Sequence, residues 1–148
     1  MNYLQLFKAN TRILGFGILL VFFSSFGQTF VVSLYIPWFM DAFQISSSFF
    51  SGMYAVATVL SALTLIFIGK IIDQVSLRSF TLFVILGMLL AVLLAGLSVH
   101  LLMLFLSVYL LRFFGQGLLS HTAMTTMARY FSKARGKALS VAYLGFPI

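Results

Sequence analysis

Long apolar runs separated by short polar stretches occupy the chain from residue 13 onward. Four runs are long enough to cross a bilayer as helices, because a hydrocarbon core of about 30 Å requires roughly 20 apolar residues. Their approximate bounds are 13–39, 49–68, 80–99 and 101–122, and a fifth apolar run covers 138–148. The pattern predicts an all-α integral membrane protein with four complete transmembrane helices and the start of a fifth. We expect it to be the amino-terminal part of a longer polypeptide.

Polar residues are unevenly distributed among these runs. The third run has no strongly polar side chain through its centre, so it can face lipid all round. On the first and fourth runs, polar side chains share one face by the 3.6-residue period, and we expect these faces to point at protein or water. The candidate cavity residues on these faces are Ser24 and Gln28 in the first run, and Tyr109, Arg112 and Gln116 in the fourth. Small residues would let the helices approach closely, namely Gly27, Gly52, Ala55, Gly115 and Gly117.

The composition excludes several classes of function. Hydrophobic residues make up 62% of the 148 residues and charged residues only 7%, which is too little polar surface for a soluble domain. The chain has no cysteine and only two carboxylates, Asp41 and Asp73. Paired-carboxylate catalysis, thiolate chemistry and carboxylate-rich metal sites are therefore not expected, and neither is an enzymatic activity or a cofactor.

The positive charge is distributed by loop rather than gathered on one face. Of the nine Lys and Arg residues, all except Arg112 lie in alternate loops, and the intervening loops contain Asp41 and His100 instead. Nucleic-acid binding is not expected from this dispersed pattern. The positive-inside rule places the amino terminus and the basic loops in the cytoplasm, with the chain in the cell membrane, expected to be a bacterial inner membrane.

Two charged residues have a functional and a structural interpretation. Asp73, in the loop GKIIDQVSLR, is either a solvated charge near Lys70 and Arg78 or a latch that bonds helix ends and basic groups at the cytoplasmic mouth. Arg112 lies near the membrane midplane, where a charge is costly, so it is a candidate solute-binding residue; the alternative is a brace for backbone carbonyls or Gln28. His121 is interpreted as a packed or interfacial residue rather than a proton carrier.

The same loop resembles the signature between the second and third helices of the major facilitator superfamily. Gly69, Asp73 and Arg78 match that signature, whereas residues 74, 76 and 77 depart from it by lacking the usual Arg, Gly and second basic residue. The fourth run contains RFFGQG, similar to the family's membrane-embedded Arg followed by glycines. The segment MARYFSKARGKALSVAYLG is similar to its basic loop leading into the fifth helix. Among members, the resemblance is closest to bacterial organic-anion and monocarboxylate porters.

The resemblance implies a fold of two similar helical halves that expose a central cavity to each side of the membrane in turn. It also implies that helices one, two, four and five approach the cavity while helix three stays peripheral. Gly69, Asp73 and Arg78 would then form the cytoplasmic gate motif. The departures at residues 74 and 76 imply a weaker or altered latch.

We therefore expect the chain to be the amino-terminal portion of a secondary transporter of a small organic anion. As a fragment it is expected to be inactive. Its expected partners are the lipid bilayer, the solute, a coupling ion and the remainder of the polypeptide. A small four-helix oligomeric carrier is one alternative, but that type needs a membrane-embedded acidic residue, which no run contains. A non-transporting scaffold or assembly subunit is the other, although it would not need a buried Arg facing a polar stripe.

Overall fold

The computed structural model describes residues 3–146, and helices are the regular structure found in this range. Helix accounts for 87% of the model, which confirms the all-α prediction. Four helical stretches are long and apolar enough to cross a membrane, and we call them the first to fourth spans. They cover Thr11–Phe43, Ser47–Asp73, Leu77–Gly96 and Leu101–Tyr130.

The first span is two helices rather than one. A short helix, α1 (Tyr3–Ala9), precedes it, and α2 (Thr11–Ser24) forms its first half. A 3₁₀ turn, Ser25–Gly27, then ends at Gln28, whose backbone is extended (φ −79°, ψ 150°). The second half, α3, covers Thr29–Phe43. The face on which Ser24 and Gln28 were expected together assumed a continuous helix, and this interruption removes that register.

The second and third spans are more regular. The second consists of α4 (Ser47–Ile68) and a 3₁₀ segment, Gly69–Asp73. The third is a single unbroken helix, α5 (Leu77–Gly96). Each begins with a serine cap, since the Ser46 and Ser76 hydroxyls accept hydrogen bonds from backbone N–H groups three residues later (3.2 and 3.1 Å).

The regular α-helix of the fourth span is also interrupted, in this case by a segment of the wider π-helix. It runs as α6 (Leu101–Leu110), a π-helical segment, Leu111–Leu119, and α7 (Ser120–Tyr130). A final helix, α8 (Arg135–Tyr143), lies in the fifth apolar run. The first span packs on α7 and α8, while the second and third spans both pack on the fourth. The fourth span is therefore central, and every other span contacts it.

The third span has one buried face. Phe80, Val84, Met88 and Ala91 are buried against the rest of the bundle at the spacing of one helical face. Leucines on its other side, such as Leu86, remain exposed to the surroundings. The sequence allowed this helix to face lipid all round, but its Gly87 lies against the ring of Phe114 in the fourth span. Packing of this kind is set by the partner helix and leaves no polar signal in the third span itself.

Candidate functional site

Arg112 occupies the second position of the π segment in the fourth span. Its side chain is buried, with 8% of its surface exposed. The guanidinium Nη1 donates to the Gly27 carbonyl (3.3 Å) and to Thr29 Oγ1 (3.1 Å), on either side of Gln28. The charged group is thus held against the interruption of the first span. This interruption supplies the carbonyl, because a continuous helix would use the same oxygen in its own ladder.

Two glycines make this contact between spans possible. A Cβ on Gly27 would lie 2.1 Å from the Leu111 carbonyl oxygen and 2.5 Å from the Gln116 nitrogen. A Cβ on Gly115 would lie 2.8 Å from the Gly27 Cα. The backbones of the first and fourth spans therefore meet directly at Gly27 and Gly115, as predicted. The same prediction was wrong for Gly52, where an added Cβ would meet no atom within 4 Å. Leu111 and Gln116 are five residues apart, which is the spacing of a π-helical hydrogen bond. A side chain on Gly27 would therefore collide with the backbone of the π segment itself.

The second span completes the surroundings of Arg112. The guanidinium carbon lies 5.0 Å from the centroid of the Tyr54 ring, within cation–π range. The Tyr54 hydroxyl is in turn 2.8 Å from Thr29 Oγ1. One charge consequently links three spans through Gly27, Thr29 and Tyr54. A small cavity of about 130 Å³ between the first and second spans is lined in part by Thr29 and Tyr54.

The hydrogen bonds of Arg112 to Gly27 and Thr29 do not use its Nε–H donor. Its Nε is buried and has no hydrogen-bond partner among the described residues. A buried guanidinium N–H without an acceptor is costly, so it retains the capacity to bind an additional acceptor. In chemical terms, the guanidinium can donate to a further acceptor, and a negatively charged acceptor would be favoured most.

The predicted cavity residues are distributed around this site but do not bond to Arg112 within the described chain. Gln28 and Gln116 are half-buried beside the crossing. Ser24 is fully buried, and its hydroxyl donates to the Val21 carbonyl (2.7 Å). Tyr109 stacks on Phe113 and its hydroxyl lies 2.9 Å from Thr64 Oγ1.

Sequence reasoning missed Thr29 and Tyr54, the residues that contact the guanidinium. The available signal was in the second span, where Tyr54, Thr58 and Ser61 recur at a helical spacing. The structure buries part of this polar stripe, with Ser61 7% exposed and the Thr58 hydroxyl without a partner among the described residues. No sequence signal distinguished Thr29 from the other hydroxyl residues of the first span.

A second polar cluster lies at the end of the bundle that carries the basic loops. Asp73 forms an ion pair with Arg129 at the end of the fourth span, rather than with Lys70 or Arg78. Both terminal nitrogens of Arg129 also approach the Ile72 carbonyl (3.5 Å). The Asp73 and Arg129 side chains are 67% and 44% exposed, respectively, so the pair is partly solvated.

Gly69, the first residue of the predicted gate motif, is tied to the fourth span as well. Its carbonyl accepts a hydrogen bond from Nε2 of His121 (3.1 Å), an arrangement that requires the ring proton on Nε2. Arg78 is exposed in the first turn of α5. Two residues of the motif, Gly69 and Asp73, therefore fasten the second span to the fourth, and Arg78 lies apart from them.

Comparison with known proteins identifies a family that is consistent with this arrangement of spans and this loop motif. A family model described as Major Facilitator Superfamily matches residues 10–148. The chain belongs to the major facilitator superfamily. No curated protein and no solved structure matches it. Superfamily membership identifies the chain as a multi-pass membrane protein from a family of small-solute transporters, rather than a family of enzymes.

Proposed function

We propose that this major facilitator chain forms the amino-terminal part of a secondary transporter that carries a small organic anion across the cell membrane by alternating access. Arg112 binds the negative charge of the solute in this proposal. The observation that carries it is the buried Arg112 side chain, whose Nε–H has no protein acceptor among the described residues.

The charge balance around Arg112 supports an anionic ligand. A cation at the bilayer centre costs at least about 2.5 to 3.5 kcal/mol on insertion scales, so it is expected to have a compensating partner. The two carboxylates of the chain, Asp41 and Asp73, lie near span ends. Gly27, Thr29 and Tyr54 contribute dipoles and a ring face but no formal negative charge. A carboxylate from the solute would supply that charge and accept from the planar guanidinium.

The experiment compares substitutions of Arg112 in the full-length transporter. Arg112→Lys keeps the charge but loses the planar donor fork, so the apparent solute constant should rise strongly while membrane abundance stays near normal. Arg112→Ala should abolish uptake without impairing insertion, since the span becomes more apolar. Uptake of a small monocarboxylate into proteoliposomes and solute binding in detergent are measured alongside abundance.

A purely structural role for Arg112 would give a different result. In that case Arg112→Lys loses abundance or melts early in detergent, while the surviving molecules bind solute with unchanged affinity. Thr29→Val is the matched control, because it removes a neutral contact of the guanidinium and leaves the charge in place. It should weaken binding less than Arg112→Ala does.

The proposal also assigns the basic loops, and with them the amino terminus, to the cytoplasm. The chain has no native cysteine, so single cysteines at the exposed positions Gln44 and Ser132 report the topology. An impermeant thiol reagent applied to intact cells should label the Gln44→Cys protein and leave Ser132→Cys unlabelled until the cells are opened. The reverse pattern would invert the assignment.

We further propose that the Asp73–Arg129 pair is a latch at the cytoplasmic mouth. It joins the end of the second span to the end of the fourth, two elements that must separate if the mouth opens between them. Asp73→Asn should leave insertion intact but change the accessibility of single cysteines in the cavity. Unaltered accessibility together with normal uptake would leave Asp73 as a solvated loop charge.

The remainder of the transporter is expected to lie in polypeptide beyond this chain. Residues 1–148 alone, reconstituted into liposomes, should insert but not take up solute, because alternating access requires a second half-bundle. Solute uptake by these residues alone would instead favour an oligomeric four-helix carrier.

A further inference from the structure

A groove lies between α1 and residues 133–137, which cover the end of the connection after the fourth span and the first turn of α8. Its volume is about 430 Å³. The lining residues are Leu6 from α1 and, on the other side, Lys133, Ala134, Arg135, Gly136 and Lys137. Three cations thus alternate with two small residues along one wall of the groove. The small residues leave room between the charged side chains, since a Cβ on Gly136 would meet no atom within 4 Å.

The helix α1 forms the opposite wall and is fixed in place. Leu6 is completely buried in the main hydrophobic cluster, which also includes Ala138 of α8. At the start of α1, the Tyr3 ring centroid lies 5.6 Å from the Lys137 ammonium group. The groove therefore has two defined walls, one of them strongly basic.

Among the described residues, the lining of the groove contains no acidic residue beside its basic wall. Of the two Asp residues of the chain, Asp73 is paired with Arg129, and Asp41 lies near the end of α3, at the other end of the spans. The charge of the wall is therefore complementary to an anionic ligand.

The position of the groove selects the kind of anion. α1 immediately precedes the first span, and residues 133–137 come shortly after the fourth span ends at Tyr130, so the groove lies level with the ends of the spans. Tyr3 and Phe7 of α1 are exposed beside it, as expected for a short helix at the boundary between headgroups and acyl chains. Basic pockets at this depth meet lipid phosphates, which are concentrated at the membrane surface.

We propose that the groove between α1 and residues 133–137 is a binding site for the phosphate group of an anionic phospholipid in the adjoining leaflet. Lys133, Arg135 and Lys137 hold the phosphate, and the exposed rings of α1 lie along the upper acyl chains. The site is separate from Arg112 and would operate whatever solute the transporter carries.

The test uses the purified full chain in detergent, titrated with dioleoylphosphatidylglycerol and followed by native mass spectrometry. We expect one retained lipid, and no comparable retention of dioleoylphosphatidylcholine. Near a membrane surface each cation changes lipid affinity about fivefold, so Lys133→Gln/Arg135→Gln/Lys137→Gln should weaken retention on the order of a hundredfold. The control Arg12→Gln/Lys70→Gln/Arg78→Gln removes the same charge outside the groove, and it should weaken retention less than about fivefold.

A second variant tests the groove rather than its charge. Gly136→Leu keeps all three cations but fills the space between them, so it should also lose the lipid, and circular dichroism checks that both variants stay folded. Equal losses in the groove triple and the control triple would overturn the site in favour of diffuse attraction. Retention by Gly136→Leu at the level of the unsubstituted chain would exclude the groove. Displacement of the lipid by excess inorganic phosphate would identify a free anion as the ligand instead.

Discussion

The third span and the crossing of the first and fourth spans use helices in opposite ways. The third span is one regular helix of 20 residues, with one face packed on the bundle and the other exposed. The first and fourth spans each lose regular α-helix near their centres, through the 3₁₀ turn Ser25–Gly27 and the π segment Leu111–Leu119. These two irregular segments contact one another, and Arg112 of the π segment donates a hydrogen bond to the Gly27 carbonyl of the 3₁₀ turn.

The difference follows from where backbone polar groups can be satisfied inside a membrane. A lipid-facing helix must complete its own hydrogen-bond ladder, whereas an irregular segment is tolerated if protein groups satisfy it. Arg112 does this for the Gly27 carbonyl, and the fourth span in turn is covered by the other spans. The regular third span therefore has a structural role in this bundle, whereas the interrupted first and fourth spans hold the polar groups of the candidate site.

Gly27→Ala should have the largest effect on stability, because it disrupts the crossing of the first and fourth spans. The new methyl group would lie 2.1 Å from a backbone oxygen of the fourth span, and backbone cannot rotate away as a side chain can. Overpacking costs about 1–3 kcal/mol where side chains adjust, and more is expected here. The variant should melt much earlier in detergent and lose folded yield. Gly15→Ala is the matched control in the same span, because its Cβ would meet no atom within 4 Å; equal melting of the two variants would contradict a tight crossing.

Gly87→Ala should have a smaller effect in the third span. Its Cβ would lie 2.2 Å from the Phe114 ring, a side chain that can shift although it is buried. We expect a loss of about 1–3 kcal/mol, measured as a moderate decrease in the melting temperature. Gly96→Ala, in the same helix and with open space around the added atom, should be neutral. A decrease as large as that of Gly27→Ala would mean that the third span is packed as tightly as the crossing.

Leu86→Ala should produce the smallest effect. The side chain is 55% exposed on the outer face of the third span, so its removal leaves little cavity. A change within about 0.5 kcal/mol is expected, as for most surface substitutions. The measurement is the same melting experiment, with the buried Val84→Ala as the contrasting variant. A loss for Leu86→Ala that matches that of Val84→Ala would show that a further element covers this face.

Hydrophobic length made the spans predictable, and hydrophobic length alone could not locate their interruptions. Ser25–Gly27 contains no proline, and serine and glycine also occur within the regular helix α2. The turn exists because Gly27 meets the fourth span, a contact between residues far apart in the chain. Propensity is a local quantity, so it gives no information about such a contact.

The candidate site was predictable in its charge and not in its partners. Arg112 was recognisable because a lone cation deep in an apolar run is costly and therefore notable. Its acceptors required the register of three spans, and the interruption replaced the expected Gln28 by Thr29. The partner of Asp73 illustrates the same limit, since Arg129 is 56 residues away in sequence and nearer basic residues were available.

The location of Arg112 has an electrical consequence for the proposed carrier. The cell membrane sustains a potential, and moving one elementary charge across it changes the energy by about 2.3 kcal/mol per 100 mV. An empty binding site then contains one uncompensated positive charge within the field, whereas a site filled by a monovalent anion contains none. The conformational step of the unloaded transporter should therefore respond to voltage, and the step that carries the solute should be nearly indifferent to it. In the proposed carrier, the burial of Arg112, which is only 8% exposed, therefore determines which half of the transport cycle the membrane potential can drive.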